Sequence, residues 1–240
     1  MADHQPRTYY AICTTHRTGS GLLGEALWRT GMAGEPDEYF SEGVEKRYAA
    51  QWGTSSTSDY LDAVRARTAS ANGVCGFKVM RGHLETFGTR FANGRHGFDA
   101  LESVFPNLHY VWLKRRDKIR QAISVWKLQQ TGVSSWHEDE PPPDVPLPEF
   151  DFDAVDAHVR RLTEWDQRWE RDFALRALAP LSLVYEDDLD ADCTDAVRKT
   201  LVHIGVAVPE EFSVDVSRRT QRDELSEAFV RLYRLRAKKT

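Results

Sequence analysis

Four short apolar runs punctuate this chain, and amphipathic stretches separate them. The runs cover 8–13, 73–80, 108–113 and 181–185. Their near-continuous apolar character predicts strands buried on both faces. Leu22, Leu23, Ala26 and Leu27 predict a helix over 20–30, which Gly31 stops. Further helices are expected over 58–70, over 98–105 with Pro106 as its end, and over 117–130. Val155, Val159, Leu162, Trp165, Trp169 and Phe173 recur at steps of three or four and form one apolar stripe. Ala196, Val197, Leu201 and Ile204 mark another helix, and 223–237 the last. Residues 34–40 read as a compact loop with three acids, and 41–58 as a polar stretch. Segment 131–150 holds Glu138-Asp139-Glu140-Pro141-Pro142-Pro143 and two further prolines, and reads as a long surface loop. Strands alternating with helices imply an α/β fold with a central, mainly parallel sheet flanked by helices. No repeat or linker interrupts the pattern, so 1–240 reads as a single domain.

Composition narrows the classes. A net charge of -5 argues against a general nucleic-acid or membrane-surface binder, so any anion site must be a local basic pocket. Cys13, Cys75 and Cys193 match no zinc spacing, and an odd count without a framework fits a reducing compartment. No apolar run approaches the roughly 18 residues of a membrane span. Residues 1–7 carry no hydrophobic segment of the signal-peptide kind, so a cytoplasmic location is expected.

Thr15-His16-Arg17-Thr18-Gly19-Ser20-Gly21 lies directly behind the first strand and ahead of the first helix. A strand, a glycine-containing turn and a helix start form the geometry that holds phosphate-like anions, because free backbone N–H groups and the helix dipole face the turn. Gly19 and Gly21 allow close approach, and Arg17 adds a forked cation suited to phosphate or sulfate. The turn is not a Walker A loop: the Gly-Lys-Ser/Thr ending is missing. A second basic cluster, Lys114-Arg115-Arg116, follows the third strand, and Asp117, Gln121 and Ser124 share one face of the helix after it. Arg115 and Ser124 are suited to grip a second phosphate. Taken alone, that cluster reads more readily as a solvated basic turn.

Together the two constellations resemble the Stf0-type bacterial sulfotransferase family. The likeness extends to Gly31-Met32-Ala33-Gly34-Glu35-Pro36-Asp37-Glu38-Tyr39-Phe40, to Gly76-Phe77-Lys78-Val79-Met80, to Gln121-Ala122-Ile123-Ser124-Val125-Trp126 and to Gln221-Arg222. The resemblance implies a P-loop-like three-layer fold, the donor 3′-phosphoadenosine-5′-phosphosulfate without a metal, and sulfuryl transfer to a hydroxyl of a small acceptor, often a sugar. It places Arg17, Thr18, Gly19 and Ser20 on the 5′-phosphosulfate, Arg115 and Ser124 on the 3′-phosphate, and Gln221 and Arg222 in a loop over the nucleotide. Glu38 matches the general base, and Glu35 a carboxylate that binds acceptor hydroxyls.

Gly21 departs from the family's usual hydroxyl residue, and Arg116 from its usual proline. In cytosolic sulfotransferases a catalytic histidine lies two residues after a strand lysine; here Lys78 is followed by Met80, so that role falls vacant. His83 reads as a surface residue, and His16 stands where the family often has a neutral amide. Tyr185-Glu186-Asp187-Asp188 reads as strand-end solvation and helix capping. Segment 131–150 is expected to form a wall or lid of the acceptor cleft, or a homodimer contact beside it. A P-loop-like kinase and a catalytically silent nucleotide-binding protein stay open as alternatives.

Overall fold

The computed structural model describes residues 6–133, 148–216 and 224–238. Its elements run β1 (Thr8–Thr14), α1 (Ser20–Arg29), α2 (Glu42–Trp52), α3 (Thr57–Thr68), β2 (Val74–Met80), α4 (Arg81–Phe91), α5 (Gly97–Val104), β3 (Leu108–Lys114), α6 (Lys118–Thr131), α7 (Phe152–Leu175), β4 (Leu181–Val184), α8 (Tyr185–Asp188), α9 (Thr194–His203) and α10 (Glu224–Ala237). The four strands form one parallel sheet in the order β2-β1-β3-β4. β1 is central, and the order reverses beside it, so the carboxyl ends of β1 and β3 flank a crevice of the kind that takes ligands in open α/β sheets.

Both faces of the sheet are covered, which explains the unbroken apolar runs. Tyr9, Ala11 and Cys13 of β1 join Cys75, Phe77 and Val79 of β2 and Tyr110 and Trp112 of β3 on one face. There they meet Leu84, Phe87 and Phe91 of α4, Phe98 and Leu101 of α5, and Trp169 and Phe173 of α7. Tyr10, Ile12, Val111 and Leu113 point the other way, onto Leu23 and Leu27 of α1 and Val197 and Leu201 of α9. A third cluster packs α6, α7 and α10 around Trp126, Leu162 and Phe229. The fold is therefore α/β in three layers, and its β1–turn–α1 unit has the P-loop-like layout.

Two glycines set distances that matter for the site. A Cβ on Gly76 would run into the ring of Tyr10, whose hydroxyl donates to Ala33 O at 2.9 Å. A Cβ on Gly24 would stand 2.9 Å from Pro36 O, so α1 touches the acid-bearing segment backbone to side-chain-free face.

Two helices depart from the pattern reading. The polar stretch 41–58 contains α2, which has no fully buried residue; Glu42 and Glu45 in its first turn and the left-handed Gly53 at its end define it. Helix α4 was not expected at all, although Leu84, Phe87 and Phe91 give it a buried stripe. The run 181–185 ends one residue earlier as strand, and Tyr185–Asp188 turns into a short helix. Most of the expected 131–150 loop (134–147) lies outside the described residues.

Candidate active site

The turn after β1 is held from inside. Thr18 is fully buried, and its hydroxyl meets Thr14 Oγ1 at 2.5 Å and donates to Thr15 O at 3.1 Å. Its side chain thus closes the turn rather than facing outward. Arg17 and Gly19 have φ of 64° and 90°, so the chain turns sharply before α1. A Cβ on Gly19 would come 2.6 Å from the Tyr185 ring, which only glycine tolerates. Ser20 begins α1, and the first turn of that helix carries no acid to cancel its positive end.

The second basic loop meets this turn directly. Arg17 Nε donates to Ser124 Oγ at 2.8 Å. Arg115 Nη1 donates to Arg17 O at 3.2 Å, and its guanidinium lies 4.6 Å from the centroid of the Tyr185 ring. Arg115, Ser124 and Arg17 are thereby one cluster, although 98 and 107 positions separate their partners in sequence. Glu186 accepts from the backbone N–H groups of Arg116 and Asp117, at 2.9 Å each, just ahead of α6. Arg116 itself is exposed and paired with Asp187. The acids after β4 therefore serve the start of α6.

Gln121 locks the two halves. Fully buried, its Nε2 donates to Thr15 Oγ1 at 2.9 Å and to His16 O at 2.7 Å, while its Oε1 accepts from Lys118 at 3.0 Å. Lys118 also pairs with Asp166 of α7 at 2.5 Å. Burial pushes the Asp166 carboxyl above the usual range despite the pull of Lys118. Trp169 of α7 donates from Nε1 to Thr14 O at 3.0 Å. The turn after β1 is so fixed by α6 and α7 together.

The acid segment stands on the other side, along β2. Asp37 forms an isolated parallel bridge with Phe77, and Lys78 N donates to Asp37 O at 2.9 Å. The Lys78 ammonium is only 8 % exposed and lies 3.0 Å from Asp37 Oδ1 and 3.6 Å from Glu38 Oε1. Burial works to raise the Asp37 carboxyl, but Lys78 and the Tyr48 hydroxyl outweigh it and hold it below the usual range. Glu35 faces elsewhere. It lines a cavity of about 300 Å³ with Tyr48, Trp52, Arg47 and Arg67. Desolvation there and the neighbouring Asp37 charge push its carboxyl up.

His83 is not the surface residue expected. It is half-buried on the first turn of α4, and its ring stands edge-on to His16 with centroids 6.0 Å apart. Trp165 flanks His16 from α7 at 6.1 Å. Burial holds both imidazoles below the usual histidine range; Glu38 opposes this on both, and His83, Arg161 and Arg17 add to it on His16.

Of the residues singled out from sequence, Arg17, Thr18, Gly19, Ser20, Arg115 and Ser124 come together at the carboxyl ends of β1 and β3. Glu38 and Glu35 face different surroundings on one segment. Gln221 and Arg222 lie outside the described residues. Lys78, Asp166 and Tyr185 were missed as parts of the assembly. A lysine inside an otherwise apolar strand was the one legible signal among them.

A glycine-containing turn at the switch point of a parallel sheet, with a second basic loop bonded to it, is the layout of an α/β protein that takes ligands at the carboxyl ends of its strands. The chain belongs to the Stf0 sulphotransferase family, whose sequence pattern matches residues 9–236. It is a sulfotransferase. Among curated relatives it is similar to a trehalose 2-sulfotransferase of Mycobacterium tuberculosis (strain ATCC 35801 / TMC 107 / Erdman), with 29% identity over 213 residues, 73% of this chain and 76% of that protein. The trehalose 2-sulfotransferase of Mycolicibacterium smegmatis (strain ATCC 700084 / mc(2)155) is 24% identical over 215 residues, 77% of this chain and 79% of its own. Among the described residues no helix is long and apolar enough to cross a membrane.

Proposed function

We propose that this chain transfers a sulfuryl group from 3′-phosphoadenosine-5′-phosphosulfate to a hydroxyl of a carbohydrate acceptor, with Glu38 as general base. The observation that supports the reading is the Arg17–Ser124 contact, which brings the turn after β1 and the helix after β3 together in one cluster. The 5′-phosphosulfate would lie at the start of α1 with Arg17, and the 3′-phosphate at Arg115 and Ser124. The acceptor oxygen attacks sulfur, the bond from sulfur to the 5′-phosphate oxygen breaks, and adenosine 3′,5′-bisphosphate leaves. Positioning and stabilisation of the leaving phosphate supply most of the acceleration, as in phosphoryl transfer. The acceptor proton passes to Glu38, which stands beside Lys78.

The aromatic and charged side chains around Glu35 suit a polyhydroxylated ring, with Trp52 and Tyr48 as stacking faces. That supports trehalose and related sugars as first acceptors to test. We read residues 1–240 as one domain that works in the cytoplasm.

The test has two stages. Adenosine 3′,5′-bisphosphate should raise the melting temperature without added metal, and by more than ATP does. Radiolabelled donor should then pass its sulfate to a member of a sugar panel that includes trehalose, with the product mass increased by one sulfate. A larger shift with ATP, or one that requires Mg²⁺, would point to the kinase alternative. Binding of the bisphosphate with no transfer to any hydroxyl would point to a silent binding protein.

A further inference from the structure

We infer that Asp37 is the positioning residue of the base: it holds the Lys78 ammonium off the Glu38 carboxylate, which leaves the oxygens of Glu38 open to the acceptor hydroxyl. The inference rests on Glu38 as the base of the proposed sulfuryl transfer and adds what keeps that base available.

The geometry begins at Lys78. It stands in β2, a strand buried along its whole length, so its charge needs a partner within reach. Two carboxylates are in reach, from consecutive residues. Asp37 Oδ1 lies 3.0 Å from the ammonium, and Glu38 Oε1 lies 3.6 Å from it. The first is a hydrogen-bond distance and the second is not. Asp37 therefore takes the hydrogen bond, and Glu38 feels the charge alone. Among the described residues no other group donates a hydrogen bond to the Glu38 carboxylate.

Asp37 is held so that this division persists. Its backbone carbonyl accepts from Lys78 N at 2.9 Å, and the residue bridges to Phe77. Tyr48 of α2 donates from its hydroxyl to Asp37 Oδ2 at 3.1 Å, which leaves Oδ1 for Lys78. Arg47 stands further off, at 3.9 Å from Oδ2.

The chemistry gives the arrangement its sense. A general base must present a lone pair to the proton it takes. An ammonium in full contact would occupy that lone pair and favour the charged carboxylate, which weakens the base. Without the Asp37 charge, Glu38 is the carboxylate left to compensate a buried ammonium, and Lys78 closes on it. Asp37 thus acts through Lys78 and touches no substrate. Besides Lys78, the charge of Glu38 acts on His16 of the turn after β1 and on His83 of α4. Asp37 faces Tyr48 and Arg47 of α2 and acts on Glu35 of its own segment. These groups are the same in the variants compared, apart from Tyr48→Phe.

The test uses trehalose, or the best sugar of the panel, as acceptor. Asp37→Asn should lose about tenfold in kcat, with bisphosphate affinity within about twofold of wild type, and the acid limb of its kcat profile should move to lower pH. Destabilisation alone lowers the amount of active enzyme and leaves the limb in place. Asp37→Asn/Lys78→Gln removes the ammonium as well. Its kcat should exceed that of Asp37→Asn by about threefold, and its acid limb should move back up. An unmoved limb in Asp37→Asn, or a double variant no faster than the single one, overturns the inference while leaving Glu38 as base.

Two further measurements keep the question open to decision if Asp37→Asn folds poorly or no acceptor is in hand. Tyr48→Phe keeps every charge and the ring, and should lower kcat by about threefold with acceptor KM within about twofold; a change in KM alone counts against the inference. The carboxyl resonance of Glu38, assigned by its loss in Glu38→Gln, should titrate at lower pH in Asp37→Asn than in the wild type, and a midpoint that stays in place removes Asp37 from the role. Wild-type turnover in Glu38→Gln would instead overturn the base assignment beneath it.

Discussion

Arg17 Nε donates to Ser124 Oγ across 2.8 Å, and so the turn after β1 and the helix after β3 share a side-chain hydrogen bond. Neither group points into solvent alone. On the proposed function, a nucleotide phosphorylated at both ends would take over this bond, which would couple recognition of its two phosphates. Arg115 strengthens the coupling from behind, through the Arg17 carbonyl.

That coupling makes nucleotide discrimination measurable. Arg115→Ala should weaken adenosine 3′,5′-bisphosphate by roughly 10- to 100-fold, the worth of a charged hydrogen bond of about 1.5–3 kcal/mol. Adenosine 5′-phosphate, which lacks the second phosphate, should lose much less. Isothermal titration with both ligands decides it, and equal losses would remove Arg115 from the 3′-phosphate.

Glu38→Gln keeps the shape of the side chain and removes its basic oxygen. Turnover should fall by about 10²–10⁴, the usual range for a general base, with bisphosphate binding retained. Glu35→Gln should chiefly raise acceptor KM, because Glu35 lines a cavity whose lining includes no residue of the turn 15–20. A fall in kcat alone for Glu35→Gln would exchange the two roles.

Gln121→Leu removes three hydrogen bonds from a fully buried position. Thr15 Oγ1 and His16 O then lose the amide as donor, at a cost of about 1–3 kcal/mol in stability. Urea denaturation measures the loss, and bisphosphate affinity should fall with it because the turn is no longer tied to α6. Unchanged stability would mean that water replaces the amide.

Acid should destabilise the protein early. His16, His83, His158 and His203 are all held below the ordinary histidine value by burial. Below about pH 6.5 the unfolded chain binds protons that the folded one refuses, so stability is complete above that value and declines beneath it. Asp37 has its depressed carboxyl, so its contribution is present above its ordinary value of 3.8 and is lost only at lower pH. The expected curve falls in two steps, the first near pH 6. Midpoints of urea unfolding that stay level between pH 7 and pH 5 would contradict the histidine step.

The sheet was legible because strands covered on both faces need apolar residues at every position, as β1 displays from Tyr9 to Cys13. Helix α2 was not, because it buries no residue fully and its ends rest on Glu42, Glu45 and Gly53. Helix α4 carried a readable stripe in Leu84, Phe87 and Phe91, hidden by the glycines and charges between them. In the site, Arg17, Arg115 and Ser124 were legible by chemical type next to strand ends. The Lys78 ion pairs were not, since they depend on residues 37 and 38 lying beside β2 through a single bridge. The His16–His83 pairing likewise arises only when α4 follows β2 past the donor turn.

Gly24 sets how closely α1 approaches the segment that carries Glu38. The helix that begins at the donor turn rests on Pro36, two residues before Glu38, through the one face of Gly24 that lacks a side chain. If Glu38 is the base and the turn before α1 holds the donor, as proposed, the two are tied through this one contact. A methyl group at Gly24 would act as a wedge in that contact. On the proposed mechanism it would shift base and donor apart in a molecule whose chemical groups were all still present.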